Sequence, residues 1–242
     1  MKRVTTLLAT ILLTITPFAQ GVEMELKAPN LPVKAWVLMD YESGAVLAEY
    51  NANQRLEPAS LTKLMTSYII AEAVDNGVIH HDDLVQISRN ARQQKGSRMF
   101  VEERSLVSVI NLIRGLIIQS GNDASVALAE HVSGSEEAFV TLMNAKAREL
   151  NLHNTHFSNT NGLPGPEHFS SAYDLALLSR SLIKRFPEHY KIYSEREFTW
   201  NEIRQENRNR LLWVESSGAD GIKTGHTDAA GYNLASSAVR NG

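Results

Sequence analysis

Three short clusters carry residue types able to perform acyl transfer: Ser60-Leu61-Thr62-Lys63, Ser120-Gly121-Asn122 and Lys223-Thr224-Gly225, separated by 60 and 103 residues. A serine hydroxyl is a weak nucleophile until a base takes its proton. A lysine serves as that base only when burial or a neighbouring cation lowers its pKa. Ser60 and Lys63, three residues apart, fall one turn apart on the same face of a helix. A position near the helix start adds positive potential that favours a developing alkoxide. Ser120 can relay a proton between a lysine and a leaving amine, and the Asn122 amide can hold a substrate carbonyl. Lys223 can attract a carboxylate and depress the pKa of Lys63, and Thr224 can hydrogen-bond the same carboxylate. Gly225 lets the backbone approach a ligand closely. Each cluster alone has a plainer reading: a capping serine beside a solvated lysine, an N-cap serine with a turn glycine, and a surface strand-turn. Their joint occurrence in this order favours the chemical one.

The elements that must position these clusters are legible in outline. Apolar runs Ala35–Met39 and Ala45–Tyr50 flank Glu42-Ser43-Gly44 and read as a β-hairpin. Pro58 opens a helix in which Leu61, Leu64, Met65, Tyr68, Ile69 and Ala73 keep helical spacing to about Val74. Asp75 to Glu103 is of mixed polarity. Leu106 to Ile118 reads as an apolar helix ending at Ser120. Helices are predicted over Asp123–His131, Glu136–Leu150 and Ser171–Phe186, the last with Ser171 as N-cap and Asp174 completing a capping box. Ser158 to Phe169 is a loop rich in Asn, Gly and Pro. Strands are predicted over Glu197–Trp200, Leu211–Val214, Gly221–Lys223 and Tyr232–Val239. Strands, a helical block, then strands imply an α+β domain in which early and late strands share one antiparallel sheet.

The chain has 242 residues, 43% hydrophobic and 21% charged, within the range of a soluble globular protein. Its formal charge of −3 would become −5 without Lys2 and Arg3. With no basic patch, nucleic acid is not an expected partner. Lys2 and Arg3, the apolar run Val4–Ile15, then Pro17, Ala19 and Gly21 read as a signal peptide over residues 1–21, so a periplasmic location is expected. The absence of cysteine removes thiol nucleophiles and Cys-based metal or redox sites. His80-His81-Asp82-Asp83 has ligand types but diverging side chains, and reads as a solvated loop. Asp174, His168 and Ser170 could be drawn as a triad, yet capping and loop roles explain them more simply. No cofactor and no metal is implied.

The stretches Pro58-Ala59-Ser60-Leu61-Thr62-Lys63-Leu64-Met65-Thr66-Ser67-Tyr68, Gln119-Ser120-Gly121-Asn122-Asp123-Ala124 and Asp220-Gly221-Ile222-Lys223-Thr224-Gly225-His226-Thr227 resemble the D-alanyl-D-alanine carboxypeptidases. These are the low-molecular-mass penicillin-binding proteins of the peptidase S11 family. Arg204-Gln205, Asn207-Arg208-Asn209, Leu211-Leu212-Trp213 and Gly231-Tyr232-Asn233-Leu234 add to the likeness, which covers nearly the whole mature chain. It implies a β-lactamase/transpeptidase-like α+β fold over residues 22–242, an antiparallel sheet flanked by a helical block.

The resemblance also implies roles. Ser60 would attack the penultimate D-alanine carbonyl of a peptidoglycan stem peptide ending in D-Ala-D-Ala, with Lys63 as general base and Ser120 passing the proton to the departing D-alanine. Asn122 would hold the substrate, while Lys223 and Thr224, helped by Arg208, would bind the terminal carboxylate. The oxyanion would meet the backbone N–H groups of Ser60 and His226, and β-lactam antibiotics would acylate the same serine. This chain has Asn161-Gly162-Leu163 where relatives often carry a His before Gly-Leu. Family members continue past Gly242 with a last sheet strand, a closing helix, a small β-rich domain and an amphipathic membrane anchor, so an incomplete domain without an anchor is expected, with an open sheet edge and face. Two other readings share the motifs. One is a truncated form that is inactive or only binds penicillin. The other is a serine β-lactamase, for which Glu167 lies in the right loop although Pro166-Glu167-His168-Phe169 does not resemble that family's motif.

Overall fold

The structure, a computed structural model, describes residues 28–240. The expected signal peptide lies outside them. The first two strands are β1 (Trp36–Met39) and β2 (Val46–Tyr50), paired antiparallel. Their turn is the one read from Glu42-Ser43-Gly44: Asp40 Oδ1 accepts from the Ser43 amide at 2.8 Å, and Gly44 takes φ +77°.

Pro58 leads into a single 3-10 turn, Ala59–Thr62, which continues as α1 (Lys63–Asp75). Every side chain from Leu61 to Ala71 is buried. Apolar side chains make up most of this buried surface, and the polar Lys63, Thr66 and Ser67 are buried with hydrogen-bond partners, so α1 sits inside the domain. Complete burial of Leu64, Met65, Tyr68 and Ile70 is each worth about 1.5–3 kcal/mol relative to exposure.

The stretch of mixed polarity holds β3 (Leu84–Gln86) and α2 (Arg89–Arg92). The apolar run expected to be wholly helical begins as β4 (Leu106–Ser108), paired with β3, and only then becomes α3 (Val109–Ile117). Apolar periodicity cannot separate a short buried strand from the first turn of a helix.

Next come α4 (Asn122–Ser133), α5 (Glu136–Glu149) and α6 (Ala172–Arg185). The buried residues of α5, Phe139, Met143 and Ala147, recur every four residues, the mark of a helix lying on the core by one stripe. In α6 the Ser171 hydroxyl accepts from the Asp174 amide at 3.1 Å. The expected reciprocal half of that capping box is absent: Asp174 Oδ2 instead accepts from the Asn154 amide and the Thr155 hydroxyl, both at 2.7 Å. A buried carboxylate took two donors from the preceding loop in place of its own helix end.

After α7 (Pro187–Tyr190), β5 (Glu197–Trp200) pairs with β6 (Ile203–Glu206), a strand not anticipated. Leu211–Val214, expected to be a strand, belongs to a 3-10 turn over Arg210–Trp213 that is opened by Asn209 Oδ1 accepting from the Leu211 amide at 3.2 Å. A local side-chain acceptor won over β propensity there. The chain then forms the longest ladder, β7 (Ala219–Thr227) with β8 (Gly231–Ala238).

The fold is therefore α+β, with α1 and α4 at its centre. Early and late strands do not pair with one another: among the described residues, β1 pairs with β2 and β7 with β8. Helix α6 lies against both β1 and β8. Hairpin ladders are closed locally by their turns, whereas pairing between hairpins depends on tertiary placement. The outward faces carry exposed Leu38, Leu47, Tyr50, Tyr232 and Leu234, an aggregation liability wherever such strands are left uncovered.

Candidate active site

The three clusters converge. Ser60 lies in the 3-10 turn and Lys63 is the first residue of α1, with Nζ 3.2 Å from Ser60 Oγ. Ala59, just before the serine, has φ +47°. A non-glycine residue in the left-handed region is strained, and such strain gathers where geometry is imposed by the surroundings.

Lys63 is fully buried, and its amine donates to Asn122 Oδ1 at 2.7 Å and to the Asn161 carbonyl at 2.6 Å. Burial first, then the Lys223 and Arg208 charges, push its pKa well below the ordinary lysine value, against the pull of Asp123. A neutral amine has two hydrogens and one lone pair. The two short contacts use both hydrogens, so the lone pair is left for the third and longest contact, Ser60 Oγ. That is the arrangement of a base poised to receive the serine proton.

Ser120 sits between α3 and α4 with φ +63°, and its hydroxyl is buried with no hydrogen-bond partner. Asn122 opens α4. Its Nδ2 donates to the Lys95 carbonyl at 2.6 Å, which turns Oδ1 toward Lys63. Its neighbour Asp123 is buried and accepts from the amides of Met99 at 3.0 Å and Phe100 at 2.9 Å, holding the chain that borders this site.

Strand β7 forms the other wall. Gly225 lies so close to the 3-10 turn that a Cβ there would be 3.0 Å from the Ser60 amide nitrogen. Lys223 is buried, its Nζ donating to the Thr224 carbonyl at 3.0 Å. Burial, then Arg208, lower its pKa to about 7. Arg208 is exposed and donates to Ser97 Oγ at 3.0 Å. His226, exposed on β7, lies against Tyr232 of β8 with ring centroids 4.2 Å apart and planes inclined by 38°. Lys223 and Arg208 thus place two basic groups at the cleft beside the Lys63 amine, a field that attracts a carboxylate.

Several residues here escaped sequence reading. The Asn161 carbonyl is a main-chain group and has no side-chain signature. Thr160 accepts at its carbonyl from both Thr66 and Ser125, at 2.7 Å each, tying the Ser158–Phe169 loop to α1 and α4. The sequence marked this place only as a loop rich in Asn, Gly and Pro, with Asn161-Gly162-Leu163 standing where relatives often carry a His before Gly-Leu. His168 does not join Ser170 or Asp174. Burial lowers its pKa to about 4, and the neutral ring contacts Thr62 Oγ1 at 2.7 Å while accepting from the Ser158 amide at 3.0 Å. Glu167 is exposed, and no hydrogen bond joins it to Ser60 or Lys63. The His80–Asp83 segment is a surface turn in which Asp83 accepts from the His80 amide at 2.7 Å.

The model of the D-alanyl-D-alanine carboxypeptidase family, Peptidase_S11, matches residues 22–242. The chain belongs to this family. It is 48% identical over 235 residues to the carboxypeptidase DacC of Escherichia coli, covering 95% of this chain and 59% of that protein. It is 51% identical to DacA of the same species over 217 residues, covering 87% and 54%. The chain thus spans somewhat over half the length of these relatives. Penicillin binding protein 5 of Haemophilus influenzae superposes with a TM-score of 0.87 at 47% identity, over 89% of this chain and 64% of that one. Penicillin-binding protein D2 of Listeria monocytogenes, solved in an ampicillin-bound form, superposes with a TM-score of 0.79 at 33% identity over 89% and 88%. The α+β fold inferred from element order is therefore the fold of this family's members.

Proposed function

We propose that this chain carries the acyl-transfer centre of a serine-type D-Ala-D-Ala carboxypeptidase, which removes the terminal D-alanine from peptidoglycan stem peptides and is acylated by penicillins. The observation that carries the reading is the Lys63 amine, buried beside Lys223 and Arg208 with its lone pair free for Ser60 Oγ.

In this reading the substrate's terminal carboxylate is drawn to Lys223, Thr224 and Arg208. Ser60 Oγ loses its proton to Lys63 as it bonds to the penultimate carbonyl carbon. The oxygen of that carbonyl takes the negative charge and meets the Ser60 and His226 amides. The C–N bond breaks as the departing D-alanine nitrogen receives the proton by way of Ser120. Water then attacks the ester and releases the shortened peptide. Family members named as carboxypeptidases and penicillin-binding proteins support this choice of substrate. The first twenty-one residues support export to the periplasm, which osmotic-shock fractionation of a tagged chain would test.

The direct assay measures D-alanine release from diacetyl-Lys-D-Ala-D-Ala. Release is expected from the wild type and at least about 10³-fold less from Ser60→Ala, the scale seen when a nucleophile is removed. Equal release from both would sink the proposal.

Ligand capture is expected to depend on pH through Lys223. Its pKa of about 7 means that it is a cation below pH 7 and loses that charge above it. A bound carboxylate favours the charged form, so binding takes up a proton and weakens as pH rises. KM for the tripeptide should rise by up to about tenfold per pH unit above 7, until the pKa of the bound state is reached. An analogue ending in D-alaninamide should show no such rise. A KM independent of pH for both ligands would rule this out.

A further inference from the structure

We propose that Gln94 is a positioning residue for the Lys63 amine, acting through Asn161, and that the segment Gln94–Ser97 holds in place the acceptors that aim this base at Ser60. The inference rests on the serine reading above and goes beyond it to residues outside the three motifs.

The two short contacts of the amine run to Asn161 and Asn122, and consecutive residues of one segment fix both. Gln94 Oε1 accepts from Asn161 Nδ2 at 3.0 Å. The Gln94 amide cannot flip without loss, because its Nε2 donates to the Asn90 carbonyl at 3.3 Å and to Asn90 Oδ1 at 3.2 Å. Asn161 Oδ1 meanwhile accepts from the Leu163 amide at 3.0 Å, and Asn159 Oδ1 accepts from the Gly162 amide at 2.7 Å. The peptide between Asn161 and Gly162 is thereby clamped on both sides, and its carbonyl is aimed at Lys63 Nζ, 2.6 Å away.

One residue along, the Lys95 carbonyl orients the Asn122 amide, and the Ser97 carbonyl accepts from the Asn122 backbone N–H at 2.7 Å. Gly96 is in contact too, since a Cβ there would be 2.9 Å from Asn122 Nδ2. The Ser97 hydroxyl accepts from Arg208. If either short acceptor drifts, the amine can rotate, and its lone pair leaves the line to Ser60 Oγ. Misplacement of a reacting group by about 1 Å can cost on the order of 10²-fold in rate.

The test measures the second-order rate of acylation by ampicillin across a pH series, with thermal melting recorded for each variant. Gln94→Met keeps the volume and removes the amide. Its rate is expected to fall about tenfold or more with the melting temperature within about 2 °C of wild type, and Asn161→Ala should fall similarly. The double variant should be no slower than the slower single one, because both act through one carbonyl. Gln94→Glu keeps an acceptor for Asn161 Nδ2 but adds a negative charge, so its rate should recover toward wild type only at higher pH. Gln94→Met acylating within twofold of wild type, losses that multiply in the double variant, or a rate loss matched by early melting would each overturn the role of Gln94. If wild type is acylated and Gln94→Met equals it, the serine reading stands and this inference alone fails. A wild type that is not acylated at Ser60, judged against Ser60→Ala, overturns both.

Discussion

Lys63→Met is expected to lower the rate of Ser60 acylation by about 10³-fold while leaving the fold in place, within the range that a positioned general base contributes. Methionine is unbranched and similar in length, so it can fill the buried volume of the lysine stem. It cannot accept a proton from Ser60 Oγ, 3.2 Å from the amine it replaces. Two opposing effects act on stability. Removing a buried group whose charged form is disfavoured by burial, Lys223 and Arg208 stabilises the fold. Leaving Asn122 Oδ1 and the Asn161 carbonyl without their donor costs about 1–3 kcal/mol for each acceptor. The two acceptors together cost about 2–6 kcal/mol, which at about 2–4 °C per kcal/mol for a domain of this size would lower the melting temperature by about 4–24 °C, less whatever the first effect offsets. The pH profile gives the sharper readout. In the wild type only the neutral amine is a base, so acylation falls as pH falls through the lowered pKa of Lys63. The variant should show no such limb. Acylation by penicillin within tenfold of wild type, with the limb intact, would mean that another group takes the proton.

Gly162→Ala is expected to damage both stability and activity, although Gly162 belongs to none of the three motifs. The residue has φ +87°, and a Cβ built on it would lie 1.9 Å from the Ala59 carbonyl oxygen, which is backbone and cannot rotate away. The left-handed conformation costs about 1–2 kcal/mol for alanine, and overpacking a tight contact adds about 1–3 kcal/mol. The clash falls on the residue before the nucleophile, so relief must move the turn that carries Ser60. A fall of about 10 °C in melting temperature and a loss of acylation of about 10²-fold are anticipated, read by thermal melting and by ampicillin labelling. Gly134→Ala provides the control: its φ is +78°, but nothing lies within 4 Å of the added Cβ. It should therefore suffer the conformational cost alone and keep its activity. Equal effects from the two substitutions would show that backbone strain, and not contact with the nucleophile turn, sets the outcome.

Helices were the most legible part of the fold. Ser135 and Ser171 each cap a helix by accepting from the amide three residues on, and such signals act within a single turn. The β-hairpin around Ser43 was legible for the same reason. Short strands were harder. β4 looked like the start of α3, and β6, with Arg204 and Glu206 facing solvent, carries no apolar alternation strong enough to announce itself. Leu211–Val214 had the composition of a strand, yet Asn209 turned it into a helical turn. For β4 a partner strand distant in sequence, and for Leu211–Val214 one side-chain hydrogen bond, outweighed local preference.

The same division runs through the site. The sequence by itself determined which side chains could do chemistry: an oxygen nucleophile at Ser60, amines at Lys63 and Lys223, a hydroxyl at Ser120 and an amide at Asn122. Those identities are covalent facts, and their order along the chain was enough to associate them. Only the tertiary structure decided what state the groups are in. Lys63 is a candidate base because α1 is buried on every side and because Lys223 and Arg208 face it from other elements. Its direction comes from the Asn161 carbonyl and from the Gln94–Ser97 segment, which supply main-chain acceptors and an amide outside the motifs. A pKa and a hydrogen-bond direction depend on distance and dielectric, and neither quantity exists until the chain has folded.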